Sequence, residues 1–160
     1  MAKVFVSGSW FSPEEKKHLN SGLDLVKANK SIAYHYWCLD PKHQPEDVDI
    51  TTSKDRANDP LWIADCYKAD IMGIKRSDVF LALVTPGHGD TGMAQEQGYA
   101  VAIGKPIIVC IPDEDYDNPT HENSLNVMIA ASADAVIPLR DLHNYNFDCP
   151  EPQRYKGYAF

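Results

Sequence analysis

Short apolar segments alternate with longer amphipathic segments along most of the chain, and this alternation limits the folds that the sequence can adopt. The apolar segments are rich in Val, Ile, Leu and Phe and have the length of strands. Apolar strands that alternate with helices of about 10 to 18 residues indicate a mostly parallel sheet with helices on both faces. The predicted strands are 3–8, 32–39, 78–85, 105–112 and 134–139. We therefore predict a single α/β domain over residues 1–160, built on a five-stranded sheet.

The predicted helices begin at capping residues. Ser12 is followed by Pro13, and Glu15 lies three residues after Ser12, which is the pattern of a capping box with proline in the first turn. An Asp-Pro pair at 59–60 indicates the start of a second helix. The predicted helices are 12–30, 60–75 and 124–133, and 92–106 is predicted as a helix that runs into a strand.

The composition excludes several classes of partner. A net charge of −8 argues against a nucleic acid polymer, because binding to a phosphate backbone needs clustered Lys and Arg. No long apolar run precedes a cleavage site in MAKVFVSGSWF, so we do not expect this segment to be a signal peptide, and no stretch approaches the roughly 18 apolar residues of a membrane span. The four Cys and six His show no metal-ligand spacing, so we interpret the cysteines as reduced thiols. The sequence therefore predicts a cytoplasmic protein that binds neither a metal nor a membrane.

The carboxyl ends of the strands are the expected position of a ligand site, because ligands of open parallel sheets bind where strands lead into helices. The relevant loops follow Val6, Cys38, Val84 and Ile111. The loop at 40–59 is polar and has 20 residues, a length that usually indicates function or mobility. The glycine-rich turn GHGDTG matches the dinucleotide-binding pattern only weakly.

Glu96 interrupts an apolar helix face near this edge of the sheet. The residues at helical spacing from it are apolar or small: Gly92, Met93, Tyr99, Ala100 and Ile103. A buried Glu can pair with a cation or cap a nearby backbone group, and it can also contact a ligand. The periodicity alone leaves these interpretations open.

Asp70 is a second carboxylate among apolar neighbours, whereas Asp65 on the same helix is not. The face of Asp70 carries Ile63, Tyr67 and Ile74. Asp65 lies three residues before Lys68, so an ion pair on a solvated surface explains it. Asp90, in the loop before the Glu96 helix, is a third carboxylate that can reach the same cleft.

Three convergent carboxylates suggest nucleophilic and acid–base chemistry. In retaining glycoside chemistry, one carboxylate attacks the anomeric carbon and another acid protonates the leaving group. Apolar surroundings raise the pKa of one carboxyl group so that it can act as the acid, while a hydrogen-bonded neighbour stays ionised. From Glu96, Asp70 and Asp90 alone, this chemistry is one option among several.

Several longer motifs occur together in a fixed order. They are the Trp-Phe pair at 10–11, LWIADCYKADIMGIKRSD at 61–78, D-x5-E-x-GYA at 90–100, GKPIIVCIPDEDY at 104–116, N-x-M at 126–128 and the tail YNF…YKGYAF. With these motifs the chain resembles bacterial, lactobacillus-type nucleoside 2-deoxyribosyltransferases over nearly its whole length. The resemblance implies a flavodoxin-like sheet and the transfer of 2-deoxyribose, with retention, from a 2′-deoxynucleoside to a free purine or pyrimidine base.

The resemblance also implies roles for particular residues. Glu96 corresponds to the nucleophile that attacks C1′ and forms a covalent deoxyribosyl-enzyme, and Asp70 and Asp90 correspond to acids that contact and protonate the leaving base. No metal or organic cofactor is implied. The residues implied to contact the substrate are Trp10, Phe11 and Gln44 at the base, Asn126 and Met128 near the sugar, and Phe5, Gly8, Tyr158 and Phe160 around the site.

Some positions depart from the family pattern. Phe5 stands where members often have a Tyr that is hydrogen-bonded to the nucleophile, and Phe160 stands where a Tyr often ends the chain. Without these phenol groups, we expect the pKa of Glu96 to be less controlled and the enzyme to be slower or more prone to hydrolysis. Tyr158 is a potential substitute donor, and Ala69 replaces a usual Asn.

The resemblance further implies a homo-oligomer, a hexamer, in which neighbouring subunits share sites. Structural interpretations of the same residues stay open: Trp10 and Phe11 can staple the first helix, and Met128 can belong to the core. Asn126 can cap its own helix. In each case the family pattern favours a contact with the substrate.

Two other functions remain as alternatives. One is an N-glycoside hydrolase of the same superfamily that acts on nucleosides or 5′-nucleotides. The segment SGSW at 7–10 offers Ser and Gly donors for a phosphate, although its acidic surroundings disfavour one. The other is a non-catalytic module on the same fold that senses nucleotides.

Overall fold

The computed structural model describes residues 1–36 and 59–160. The strands are β1 Ala2–Gly8, β2 Ile32–Tyr36, β3 Val79–Leu83, β4 Ile107–Ile111 and β5 Ala135–Pro138. The helices are α1 Pro13–Ala28, α2 Pro60–Arg76, α3 Thr91–Ala102, α4 Asp113–Asp117 and α5 Val127–Ser132, and a 3-10 turn follows at Leu139–Asp141.

The five strands form one sheet in the order β2-β1-β3-β4-β5, and every neighbouring pair is parallel. This confirms the predicted α/β fold with five strands. The sequence did not predict α4, a single turn that begins directly after β4. The predicted second strand at 32–39 extends beyond the described residues, which give it as Ile32–Tyr36.

Helices cover both faces of the sheet because strand residues alternate between the faces. Val4 and Val6 of β1 pack against α1, in a core that also contains Leu19 and Leu83. Phe5 points to the opposite face, where the core includes residues from α2, α3 and α5. The two faces of β1 therefore have different helical neighbours.

The predicted capping box at the start of α1 is confirmed. The Glu15 amide donates to the Ser12 hydroxyl at 3.1 Å, and the Ser12 amide donates to the Glu15 carboxylate at 2.7 Å. The Asp59 carboxylate likewise accepts a hydrogen bond of 2.9 Å from the Leu61 amide at the start of α2. These contacts satisfy amides that the first turn of a helix leaves without partners.

The described part of the chain contains no helix that is long and apolar enough to cross a membrane. The cysteines in this part carry free thiols: Cys66 is half-buried, Cys110 is buried and Cys149 is exposed. Cys38 lies outside the described residues.

Candidate active site

A cavity of about 340 Å³ opens at the carboxyl edge of the sheet, next to the point where the strand order reverses. β1 leads to α1 on one face and β3 leads to α3 on the other, so the chain diverges after these neighbouring strands and leaves a crevice. The end of β1, one side of α2 and the first turns of α3 form the walls. This is the edge at which the sequence predicts a ligand.

Glu96 lies in the second turn of α3 and lines this cavity. Its Oε2 atom accepts a hydrogen bond of 2.5 Å from the hydroxyl of Ser7, near the end of β1. Within residues 1–36 and 59–160, this carboxylate has a hydroxyl as its partner and forms no ion pair. The cation-pairing interpretation therefore finds no support in this part of the chain.

The buried face of α3 differs from the predicted one. Its buried residues are Met93, Gln97 and Ala100. Gly92 and Ile103 were expected on that face but are exposed: Gly92 lies in the first turn at the cavity, and Ile103 is the C-cap of the helix. Glu96 consequently lies at the border of the buried stripe and not in its middle, which lets the carboxylate reach the cavity.

Asp90 is the N-cap of α3 and also lines the cavity. Its Oδ1 atom accepts hydrogen bonds from the amides of Gly92 at 2.8 Å and Met93 at 3.2 Å. A negative charge at this end of a helix is stabilised by the free amides and the helix dipole. Asp90 therefore has a structural contact in addition to its position on the cavity wall.

Asp70 lies on the cavity wall formed by α2, and its Oδ1 atom is buried without a hydrogen-bond partner among the described residues. The predicted apolar face around it is only partly right, since Ile74 is buried whereas Ile63 and Tyr67 are exposed. The buried residues of α2 are Gly73 and Ile74, near its end, so the earlier turns are not covered by the core. The predicted surface pair of Asp65 and Lys68 is confirmed at 3.8 Å.

Trp62, Cys66 and Asp70 form the side of α2 that faces the cavity. They are spaced four residues apart, which places them on one side of a helix. Trp62 and Cys66 were not predicted as site residues, because the apolar residues at 63, 67 and 74 indicate a different face of the helix. The spacing of Trp62 from the suspected acid was the signal that could have identified it.

Burial raises the pKa of both carboxyl groups that face each other across the cavity. Desolvation raises the pKa of Glu96 to about 7; the Ser7 hydrogen bond opposes this rise, and the charges of Asp70 and Asp90 add to it. Desolvation also raises the pKa of Asp70 to about 7. Near neutral pH the pair can therefore supply one ionised carboxylate and one carboxylic acid. Among the described residues, no cluster of His, Cys, Asp or Glu could hold a metal ion.

Aromatic side chains enclose the mouth of the cavity. Trp10 and Phe11 line it with ring centroids 5.3 Å apart, and Trp62 lines it from α2. Phe11 is 72% exposed, so a staple of the first helix does not account for its position. Trp10 also packs partly against the core on the α1 face, which agrees with both interpretations of that residue.

Gly8 lines the cavity at the end of β1, as the family pattern implies for a site residue. A Cβ atom at this position would lie 3.0 Å from Leu19 Cδ1 and 3.2 Å from Leu83 Cβ. A side chain here would therefore require α1 and β3 to shift by a few tenths of an ångström, and in this chain the backbone itself forms part of the wall.

Phe5 does not reach the cavity. It is buried and stacks on Phe80 with ring centroids 5.7 Å apart and an interplanar angle of 18°. Ser7 points to the same face of β1 two residues further along, and its hydroxyl contacts Glu96. The sequence analysis treated Ser7 only as a potential phosphate donor, although a hydroxyl at the end of an apolar strand was the available signal.

The C-terminal candidates lie away from the cavity of the same chain. Asn126 caps α5, where its Oδ1 accepts a 2.9 Å hydrogen bond from the Met128 amide, and the Met128 side chain is 73% exposed. The tail pairs with Leu125 through backbone atoms of Tyr158 and Phe160, at 3.0 and 3.1 Å.

In these positions, neither Tyr158 nor Phe160 contacts Glu96 of the same chain. The Tyr158 ring lies against the His121 ring with centroids 3.8 Å apart and an interplanar angle of 33°, and Phe160 is 74% exposed. Tyr158 therefore does not supply the missing hydroxyl to Glu96 of its own chain. Gln44 lies outside the described residues.

The raised pKa of Glu96 predicts a pH-dependent cost in stability. A pKa of about 7 in the folded state lies above the ordinary 4.5, so the unfolded protein releases this proton more readily and stability falls as the pH rises through this interval. The Glu96→Gln variant cannot ionise. We expect it to be more stable than the parent at about pH 8 by up to about 3 kcal/mol, and equally stable at about pH 4.

Urea denaturation at several pH values measures this effect. Asp65→Asn is the matched control, because Asp65 is an exposed carboxylate and its pair with Lys68 contributes little. If the two variants show the same dependence on pH, the carboxylate of Glu96 is not destabilised by burial.

The chain is similar to known proteins along most of its length. A family model described as nucleoside 2-deoxyribosyltransferase matches residues 4–128. A nucleoside deoxyribosyltransferase of Lactobacillus johnsonii is 30% identical over 151 residues, which are 94% of this chain and 98% of the relative. One from Lactobacillus leichmannii is 27% identical over 157 residues, or 98% of this chain and 97% of the relative.

A solved structure has the same fold. The 2-deoxyribosyltransferase of Bacillus psychrosaccharolyticus superposes with a TM-score of 0.72 at 23% sequence identity and covers 96% of this chain and 99% of its own. At this identity the likeness concerns the fold alone.

Proposed function

The chain belongs to the nucleoside 2-deoxyribosyltransferase family, and on that premise we propose that it transfers 2-deoxyribose from a 2′-deoxynucleoside to a free purine or pyrimidine base. The observation that carries this proposal is the cavity in which Glu96, hydrogen-bonded to Ser7, lies with Asp70 and Asp90. Two carboxyl groups with a raised pKa suit a reaction that needs a nucleophile and an acid in one site.

In the first step, a carboxylate oxygen of Glu96 attacks C1′ of the donor. The glycosidic C1′–N bond breaks, and its electron pair leaves with the base. Asp70, as the protonated member of the pair, gives its proton to the departing base, and Asp90 at the helix start contacts the same base. The product is a deoxyribosyl ester of Glu96, formed with inversion at C1′.

In the second step, a nitrogen of the acceptor base attacks C1′ from the face that the first base left. The ester C–O bond breaks and its electron pair returns to Glu96, while Asp70 takes the proton of the acceptor nitrogen. A second inversion gives overall retention. Side chains and substrates supply all electrons and protons in this scheme, so it uses no cofactor.

The aromatic side chains suit a nucleobase as the group that is exchanged. Trp10, Phe11 and Trp62 present ring surfaces at the cavity, and stacking on aromatic rings is tolerant of the identity of the base. Donor and acceptor bases can therefore use the same wall in turn.

We further propose that the enzyme is a homo-oligomer, a hexamer by resemblance to the family. Apolar side chains are exposed along α2, at the start of α5 and at the tail: Leu61, Ile63, Tyr67, Met72, Val127, Met128 and Phe160. Exposed apolar surface of this kind is typical of subunit contacts. Met128 and Phe160 would then reach a site on a neighbouring subunit. Light scattering that gives the mass of a monomer would contradict this proposal.

A product assay tests the proposed reaction. We expect deoxyinosine and adenine to give deoxyadenosine and hypoxanthine, as separated by chromatography. Free deoxyribose as the main product would support the hydrolase alternative. A protein that binds these compounds without any turnover would support the nucleotide-sensing alternative.

A further inference from the structure

We propose that Ser7 is a positioning residue for Glu96: its hydroxyl orients the carboxylate for attack on C1′ and favours the later release of the sugar from it. The proposal rests on the proposed function for its kinetic consequences. Its geometric basis is the contact between the Ser7 hydroxyl and Oε2 of Glu96.

The contact joins two different elements at the base of the cavity. Ser7 lies next to the last residue of β1 and is only 4% exposed, so the strand and its neighbours fix its backbone. Glu96 has a long side chain on α3 with several rotatable bonds. A hydrogen bond from a fixed hydroxyl to Oε2 restricts these bonds and leaves Oε1 free to approach the sugar.

The charged groups and the thiol around Glu96 cannot take this role, and the hydrogen bond that the described residues give its carboxylate comes from Ser7. Asp70 faces it from α2 and Asp90 from the start of α3, and the charge of each disfavours the ionised form of Glu96. Cys66 is a thiol on α2 whose pKa is raised by burial and by the charges of Asp70 and Asp65, so it does not supply a charge. Among the described residues that line the cavity there is no Lys, Arg or His. Ser7 is therefore the group in this part of the chain that stabilises the carboxylate.

The position of this hydroxyl accounts for the departure at Phe5. Phe5 and Ser7 lie on the same face of β1, but Phe5 is held in the core by Phe80 and by the close approach of Gly73. The Ser7 hydroxyl lies two residues further along β1, nearer to the carboxyl edge of the sheet, where Glu96 is located. We infer that control of the nucleophile passes through Ser7 in this chain.

The same contact affects the two half-reactions differently. A carboxylate accepts a stronger hydrogen bond than the carbonyl oxygen of an ester. Charge leaves Glu96 when the ester forms and returns when it breaks, so the Ser7 hydroxyl favours the carboxylate over the ester. Loss of the hydroxyl is expected to stabilise the covalent intermediate relative to the free enzyme and to slow its breakdown.

The test compares Ser7→Ala, Ser7→Thr and Ser9→Ala. Ala removes the hydroxyl without adding volume, and Thr retains a hydroxyl on the same carbon. Ser9→Ala is the matched control, because Ser9 is a buried serine two residues away that does not line the cavity. Thermal denaturation checks that all three variants fold.

The first measurement is a titration of the Glu96 carboxyl carbon by NMR in the unliganded protein. We expect Ser7→Ala to raise its pKa by about one pH unit, whereas Ser7→Thr and Ser9→Ala leave it near the parent value. This measurement does not require activity, so it tests the contact even if the proposed function fails. An unchanged pKa in Ser7→Ala would overturn the proposal.

The second measurement uses intact-protein mass spectrometry with a deoxynucleoside donor and no acceptor, followed by addition of the acceptor. In Ser7→Ala we expect a larger fraction of deoxyribosyl-enzyme and a release to the acceptor that is slower by about tenfold, with rescue by Thr. If the parent transfers the sugar and Ser7→Ala matches it in both respects, the proposal is wrong while the proposed function stands. If the parent transfers nothing, the proposed function fails instead.

Discussion

Glu96→Ala is expected to lose deoxyribosyl transfer almost completely, by about 10⁴-fold or more in kcat/KM. The reason is the loss of a covalent step, because no other carboxylate can replace the attacking oxygen. Asp90 already accepts two amide hydrogen bonds at the start of α3, and Asp70, the acid that we propose, lies on α2. Steady-state transfer between deoxyinosine and adenine, with chromatographic separation of the nucleosides, measures kcat/KM for the parent and the variant.

Glu96→Ala should keep its fold and its affinity for nucleosides, since the aromatic side chains that line the cavity are unchanged. Equilibrium binding of a deoxynucleoside therefore separates a lost reaction from a lost site. Asp65→Ala is the control for removal of a carboxylate from a helix, because Asp65 is exposed and its ion pair among the described residues is with Lys68 on the surface. Transfer by Glu96→Ala within a few-fold of the parent would refute its assignment as the nucleophile.

The fold could be predicted from the sequence because local signals and long-range packing agree. β3 and β4 are apolar at every residue and buried on both faces, which is what a central parallel strand requires. The capping box at Ser12 and Glu15 fixed the start of α1 to the residue. Helix α4 was missed because its five residues, DEDYD, have no buried face and so no periodicity.

The candidate site could be predicted only in part, because helical spacing does not reveal which side of a helix is covered. For α3 the anomaly at Glu96 was real, but the buried stripe included Gln97, whose amide donates to the Ile129 carbonyl at 3.0 Å and to Ser132 at 2.8 Å. A buried Gln with both partners on another element leaves no apolar signature in the sequence. For α2 the error was the opposite one: the apolar Ile63 and Tyr67 indicated a buried face, but both side chains are exposed.

Contacts between distant segments were beyond prediction from the residues alone. Ser7 and Glu96 are 89 positions apart and meet only because β1 and β3 are neighbours in the sheet. The pairing of Leu125 with the tail at Tyr158 is of the same kind. The family pattern implies that both ends of the chain and the Glu96 helix contribute to one site. It does not indicate that the Ser7 hydroxyl would donate a hydrogen bond to Glu96.

The acids give the second large effect. Asp70→Asn keeps the shape of the side chain but cannot donate or take a proton, so we expect transfer to fall by about 10²–10⁴-fold. The proton is needed only when the base leaves as an anion. In a 7-methylated purine deoxynucleoside the base already carries a positive charge, so it leaves without protonation. With this donor, the rate of the first step in Asp70→Asn should approach the rate in the parent. An equal loss with both donors would show that Asp70 acts through binding.

Asp90→Asn is the companion variant, because Asn is as good an N-cap as Asp and preserves the hydrogen bonds to the amides of Gly92 and Met93. A loss of activity of about 10²–10⁴-fold with unchanged thermal stability would therefore assign Asp90 a role at the base and not only in the helix.

The dependence of activity on pH separates the roles of Asp70 and Asp90. Because the pKa of Asp70 is raised to about 7, its acidic form is lost as the pH rises, so activity should fall on the alkaline side. That alkaline limb should disappear in Asp70→Asn and persist in Asp90→Asn. Its persistence in Asp70→Asn would assign the proton to another group.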